Sequence, residues 1–70
     1  MITLTQIQKR LAEAIKQSGM TQTAIAKKLR IHQATISHYI KGDKMPALDT
    51  FANLCKVLDL DANYILCREE

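Results

Sequence analysis

The segment from Thr21 to Gly42, TQTAIAKKLRIHQATISHYIKG, reads as two short helices meeting at a tight turn, and the second helix has two unlike faces. At about 100° per residue, Thr35, Ile36, Tyr39 and Ile40 share an arc lying about 200° to 340° from Gln33. Gln33, Ala34, Ser37, His38 and Lys41 share the other, between about 0° and 140°. The first arc can be buried. The second carries an amide, a hydroxyl, an imidazole and a small apolar group where a solvated helix face usually carries long charges, with a single Lys at its end. Groups of that kind form hydrogen bonds and methyl contacts with base edges.

The flanking sequence supplies the helices that such a unit needs. Leu4, Ile7, Leu11 and Ile15, with Ala14 beside them, recur at three- and four-residue steps and predict a first helix from about Thr5 to Ser18. Thr5 with Gln8 suits a capping box at its start, and Gly19 suits the left-handed position beyond its end. Thr21 caps a second helix, Gln22 to Leu29, with Ile25, Ala26 and Leu29 as its buried stripe. A third, Gln33 to Lys41, ends at Gly42, and Asp43 to Pro46 form a loop. Leu48, Phe51, Ala52, Cys55 and Leu58, widened by Leu54 and Val57, mark a fourth helix with a broad apolar face. Asp61 caps a short fifth, Ala62 to Leu66, whose Tyr64, Ile65 and Leu66 are expected to close the bundle. No segment alternates with a period of two. The expectation is all-α, a compact five-helix bundle forming one domain over residues 1–70, with no second domain to hold a small-molecule ligand.

Composition narrows the setting. Seventy residues bury only a small core. Two cysteines make no disulfide framework, and Cys55 falls on an apolar stripe while Cys67 lies near the end, which suits reduced thiols in the cytoplasm. The apolar runs are too short for a membrane span, and the first residues lack the basic-then-apolar order of a signal peptide. The net charge of +3 is unevenly placed. Residues 1–44 hold Lys9, Arg10, Lys16, Lys27, Lys28, Arg30, Lys41 and Lys44 against Glu13 and Asp43, a balance of +6. Residues 45–70 hold Lys56 and Arg68 against Asp49, Asp59, Asp61, Glu69 and Glu70, a balance of −3. A polyanion is drawn to the half that contains the two-helix unit.

The order of Gly19, Thr21-Gln22, Ala26, Leu29, Ile31, Thr35, Ile36, Ser37, Gly42 and Pro46 resembles the Cro/repressor-type, XRE-like helix-turn-helix family of phage repressors and bacterial regulators. The resemblance spans Ile7 to Leu66 and implies a lambda-repressor-like bundle, with the helix-turn-helix over residues 21–42. It implies that helix two crosses the DNA backbone and helix three enters the major groove. Three positions depart from the family pattern. Arg30 stands where the turn generally has Gly, and a side chain in the left-handed region costs on the order of 1 kcal/mol. His32 and Ala47 replace the usual hydroxyl caps of helices three and four, at roughly 0.5 to 2 kcal/mol each.

On this resemblance, base contacts fall to Gln33, Ala34, Ser37 and His38. Gln33 suits a bidentate pair with adenine, and in the family its equivalent sometimes bonds the Gln opening helix two, here Gln22. Ser37 can give or accept a hydrogen bond. Ala34 either meets a thymine methyl or makes room, and His38 reaches a base, reaches a phosphate, or is solvated. Backbone contacts fall to Thr21, Gln22, Lys41 and Lys44, since helix starts and loop lysines meet phosphates. Lys27 and Lys28, on the outer side of helix two, are weaker candidates for such contacts and read more simply as solvated charge.

The implied function is a non-enzymatic, sequence-specific regulator that binds double-stranded DNA, a repressor acting by operator occupancy, as a homodimer on a pseudo-palindromic operator. The implied source is bacterial or phage. No cofactor, metal, membrane or small-molecule ligand is implied. His32 and His38, six residues apart, point about 240° away from each other on a helix and lack cysteine partners. Asp49 aside, no polar cluster in the apolar segments suggests a catalytic site. Tyr64, Leu66 and Cys67 are candidates for self-association. The alternative is a protein-interaction module or antitoxin built on the same bundle.

Overall fold

Thr3, two residues earlier than Thr5, starts the first helix. In the computed structural model, which describes residues 1–69, its hydroxyl accepts from the Gln6 N–H at 3.2 Å and the Gln6 side-chain oxygen accepts from the Thr3 N–H at 2.9 Å. Thr3–Gln6 and Thr5–Gln8 both fit a capping box, and the earlier frame wins another half-turn, with Ile7 N–H donating to the Thr3 carbonyl. Among the described residues five helices follow in order: α1 (Leu4–Gln17), α2 (Gln22–Leu29), α3 (Gln33–Lys41), α4 (Leu48–Leu58) and α5 (Ala62–Ile65). The second and third have the bounds the sequence predicts. Among the described residues there is no strand.

The core draws on every helix: Leu11 and Ile15 from α1, Ile25 and Ala26 from α2, Ile36 and Tyr39 from α3, Phe51 and Leu54 from α4, and Ile65 from α5. α2 and α3 pack together, α1 lies against both α3 and α5, and α4 lies against α2. The apolar stripes are narrower than their sequence spacing suggests. Leu4 is 60% exposed and Leu48 82% exposed, each in the first turn of its helix. Ala52 is exposed and Cys55 only half-buried, so α4 buries a strip centred on Phe51 and Leu54. Burial and the nearby Asp61 charge push the Cys55 thiol above its usual range.

Tyr64 does not close the bundle. It is 43% exposed, and its ring lies under the Arg10 guanidinium, 4.5 Å from carbon to ring centroid. The same guanidinium donates to the Tyr64 carbonyl and to Glu69 Oε1, each at 2.7 Å, tying the last described turn to α1. The hydrogen bond from Arg10 holds the Glu69 carboxyl below the usual carboxylate range and raises Arg10 in return. One cation of the basic half is thereby occupied on the α5 side.

Four helices end in the same kind of turn. After α2, α3, α4 and α5 comes a left-handed residue, Arg30 (φ 58°), Gly42 (φ 80°), Asp59 (φ 54°) and Cys67 (φ 60°). In each case the next N–H reaches back to a carbonyl five residues earlier: Ile31 to Ala26 at 3.0 Å, Asp43 to His38 at 3.3 Å, Leu60 to Cys55 at 2.9 Å and Arg68 to Asn63 at 2.7 Å. Gly19 (φ 80°) turns the chain after α1, where the Ser18 hydroxyl instead donates to the Ile15 carbonyl and accepts from the Met20 N–H. No helix among the described residues is long and apolar enough to cross a membrane.

The strained endings give a stability prediction. Replacing Arg30 or Asp59 with Gly removes the left-handed penalty, net of glycine's own entropy, and raises stability by about 1 kcal/mol each. For a domain this small that is a rise of roughly 4–8 °C in the thermal midpoint, read by circular dichroism on the protein alone. An unchanged or lower midpoint contradicts the strain.

Candidate nucleic-acid interface

Three residues, Arg30, Ile31 and His32, join α2 to α3. Arg30 adopts the left-handed conformation that glycine would take without cost, and its N–H still closes on the Lys27 carbonyl at 3.3 Å. Ile31 then turns inward and packs on the edge of the core, which compensates for the strain just before it. His32 is extended (φ −73°, ψ 144°), and its carbonyl accepts from the Thr35 N–H at 3.0 Å to begin α3. The departure at Arg30 is therefore absorbed with the turn geometry intact.

Burial fixes which side of α3 looks outward. Ile36 is 0% exposed and Tyr39 is buried, and desolvation pushes the Tyr39 hydroxyl above its usual range. Gln33, Ala34, His38 and Lys41 are exposed and Ser37 is half-buried between them, so one continuous strip runs along the helix. Thr35 and Ile40, on the arc expected to be covered, are half-buried. Lys44 is exposed in the loop after α3, and Lys27, Lys28 and Arg30 are exposed along α2.

The two helix starts differ. Thr21 Oγ1 accepts from the Ala24 N–H at 3.1 Å, which caps α2 and leaves the N–H groups of Gln22 and Thr23 without protein acceptors among the described residues. His32 makes no side-chain cap, so Gln33 and Ala34 N–H are likewise open at the start of α3. Ala47 also gives α4 no side-chain cap. Gln22 is half-buried, and among the described residues no hydrogen bond joins it to Gln33.

One contact was not foreseen. His38 Nδ1 lies 2.8 Å from Asp43 Oδ1, joining a residue on the outward strip to the first residue of the loop. Five residues apart on a continuous helix, the two would face different ways. The signal in the sequence was Gly42 between them, whose left-handed turn folds the next residue back over the last turn of α3.

A helix packed across a second one after a three-residue turn, with its outer strip polar and its inner side in the core, defines a helix-turn-helix unit. The chain belongs to the helix-turn-helix family, of the Cro/repressor, XRE-like type, and the family's sequence model matches residues 3–65. It is similar to the HTH-type transcriptional regulator ImmR of Bacillus subtilis (strain 168), with 34% identity over 62 residues, 89% of this chain and 49% of that protein. The chain thus spans about half the length of the curated relative it matches. No solved structure matches it.

The uncapped starts of α3 and α4 are open to repair. His32→Ser and Ala47→Ser each supply a side-chain oxygen to the first turn and are expected to raise stability by about 0.5 to 2 kcal/mol. The midpoint of urea unfolding reports the gain, and a midpoint at or below the parent's refutes it.

Proposed function

We propose that this chain binds double-stranded DNA sequence-specifically and regulates transcription, acting as a repressor that occupies an operator. The observation that carries the reading is the outward strip of α3, rich in neutral hydrogen-bonding groups and backed by the buried Ile36 and Tyr39. A helix with its side chains is about 10–12 Å across, and the major groove is about 12 Å wide. Membership of the helix-turn-helix family and the name of the regulator from Bacillus subtilis support the same reading.

In this reading Gln33 pairs with adenine, Ser37 bonds a base edge, Ala34 meets a thymine methyl and His38 completes the base-facing set. The open N–H groups at Gln22, with Thr21 beside them, meet phosphate, joined by Lys41 and Lys44. A homodimer places two such helices on a pseudo-palindrome with half-sites about 34 Å apart. The exposed Tyr64, with Leu66 and Cys67, supplies a self-association surface.

Selection from a random duplex library tests the reading directly. One enriched, two-fold-related sequence is expected, with affinity falling by a factor on the order of ten or more between 50 and 200 mM salt. No enrichment, or binding indifferent to salt, would mean that the strip serves a protein partner instead. On the selected site, Gln33→Ala is expected to cost about 1 to 3 kcal/mol and flatten preference at one base pair, whereas Lys44→Ala weakens selected and random DNA alike. Equal losses on both DNAs for both variants contradict the assignment of roles.

A further inference from the structure

Asp43 is one of only two carboxylates in the basic half of the chain, and it sits beside the helix proposed to face a polyanion. A negative charge there opposes approach to DNA and does nothing for affinity. Its position is nevertheless fixed with some care. The left-handed Gly42 lets the Asp43 N–H donate to the His38 carbonyl at 3.3 Å, while the Asp43 carboxylate meets the His38 ring at 2.8 Å. Residue 43 is held to residue 38 twice, once through the backbone and once through the side chain.

The chemistry of that contact is directional. A carboxylate oxygen can only accept, so His38 Nδ1 must carry the proton between them. On the neutral imidazole this leaves Nε2 without a proton, an acceptor. His38 is about half exposed, its side chain at 49%, so the ring is accessible from the solvent side of α3. In the major groove the only base-edge donors are the amino groups of adenine and cytosine. Guanine and thymine offer acceptors there, and phosphate oxygens accept as well.

Resting on the DNA-reading function proposed above, we propose that Asp43 is a positioning residue. It holds His38 so that the neutral ring turns an acceptor Nε2 to the groove and selects adenine or cytosine by its exocyclic amino group. His38 without Asp43 is free to take the other tautomer, whose Nε2–H donates to guanine or to phosphate and carries little sequence information. The carboxylate thus acts on discrimination, through His38, and works against overall affinity.

Two measurements test this. Long-range 1H–15N spectra of the free protein are expected to show the neutral His38 ring protonated at Nδ1 in the parent, with the Nε2–H form appearing in Asp43→Ala. A parent ring protonated at Nε2 overturns the inference without any DNA present. On the selected operator, base analogues that lack one exocyclic amino group are then introduced position by position. At one position the parent is expected to lose about tenfold in affinity, while His38→Ala and Asp43→Ala lose nothing further there and the double variant behaves as His38→Ala. Asp43→Ala is also expected to bind random duplex at least as tightly as the parent. If no amino-group deletion couples to His38, or if the coupling survives Asp43→Ala, the inference fails while the DNA-reading function stands. If the parent enriches no operator at all, both fail together.

Discussion

The burial of Ile36 and Tyr39 against α1 and α2 fixes the rotation of α3 about its own axis, and with it the set of side chains that reach solvent. At about 100° per residue, rotating the helix by one position moves a neighbour into the core and an anchor out of it. Ile36 is fully buried, in a core that also takes Leu11 and Ile15 from α1, Ile25 from α2 and Leu54 from α4. The outward strip is therefore not a local property of nine residues. It is the complement of a core assembled from distant parts of the chain, and the order Gln33, Ala34, Ser37, His38 faces outward because Ile36 and Tyr39 face in.

A chain this short has few apolar side chains with which to set helix directions, and it relies on hydrogen-bonded endings to do so. Of the four left-handed closing turns among the described residues, one uses glycine. Arg30 and Asp59 accept the steric cost, and in both cases the following residue, Ile31 or Leu60, packs at once against the core. The strain and the anchoring contact lie one residue apart. At Gly42, by contrast, the turn delivers a polar residue to the outside, and Asp43 closes on His38. The same backbone device thus aims an anchor inward in two places and a carboxylate outward in a third.

Much of this was legible. The bounds of α2 and α3, the left-handed glycines and the core roles of Ile25 and Tyr39 follow from local periodicity and chemistry, while the turn residue Arg30 and the weak caps at His32 and Ala47 stand out against the family pattern. What was not legible has specific causes. Two overlapping Thr-x-x-Gln frames precede α1, and propensity does not choose between them, whereas two extra helical residues do. Leu4 and Leu48 continue the apolar spacing but remain exposed in the first turns of their helices. The Arg10 contacts with Tyr64 and Glu69 join positions more than fifty residues apart, beyond any periodicity. The His38–Asp43 pair was hidden because helical geometry separates those positions until the left-handed turn is taken into account.

The uncapped start of α3 has a consequence for how that helix meets its surroundings. Gln33 and Ala34 hold their N–H groups along the helix axis with no protein acceptor among the described residues. The first two N–H groups are open at the start of α2 as well, but there the third, of Ala24, is held by the Thr21 side chain, whereas the third of α3, of Thr35, is held by the His32 carbonyl alone. The missing side-chain cap thus leaves the free helix readier to fray at the end that carries Gln33, and a negative charge lying against that end steadies it.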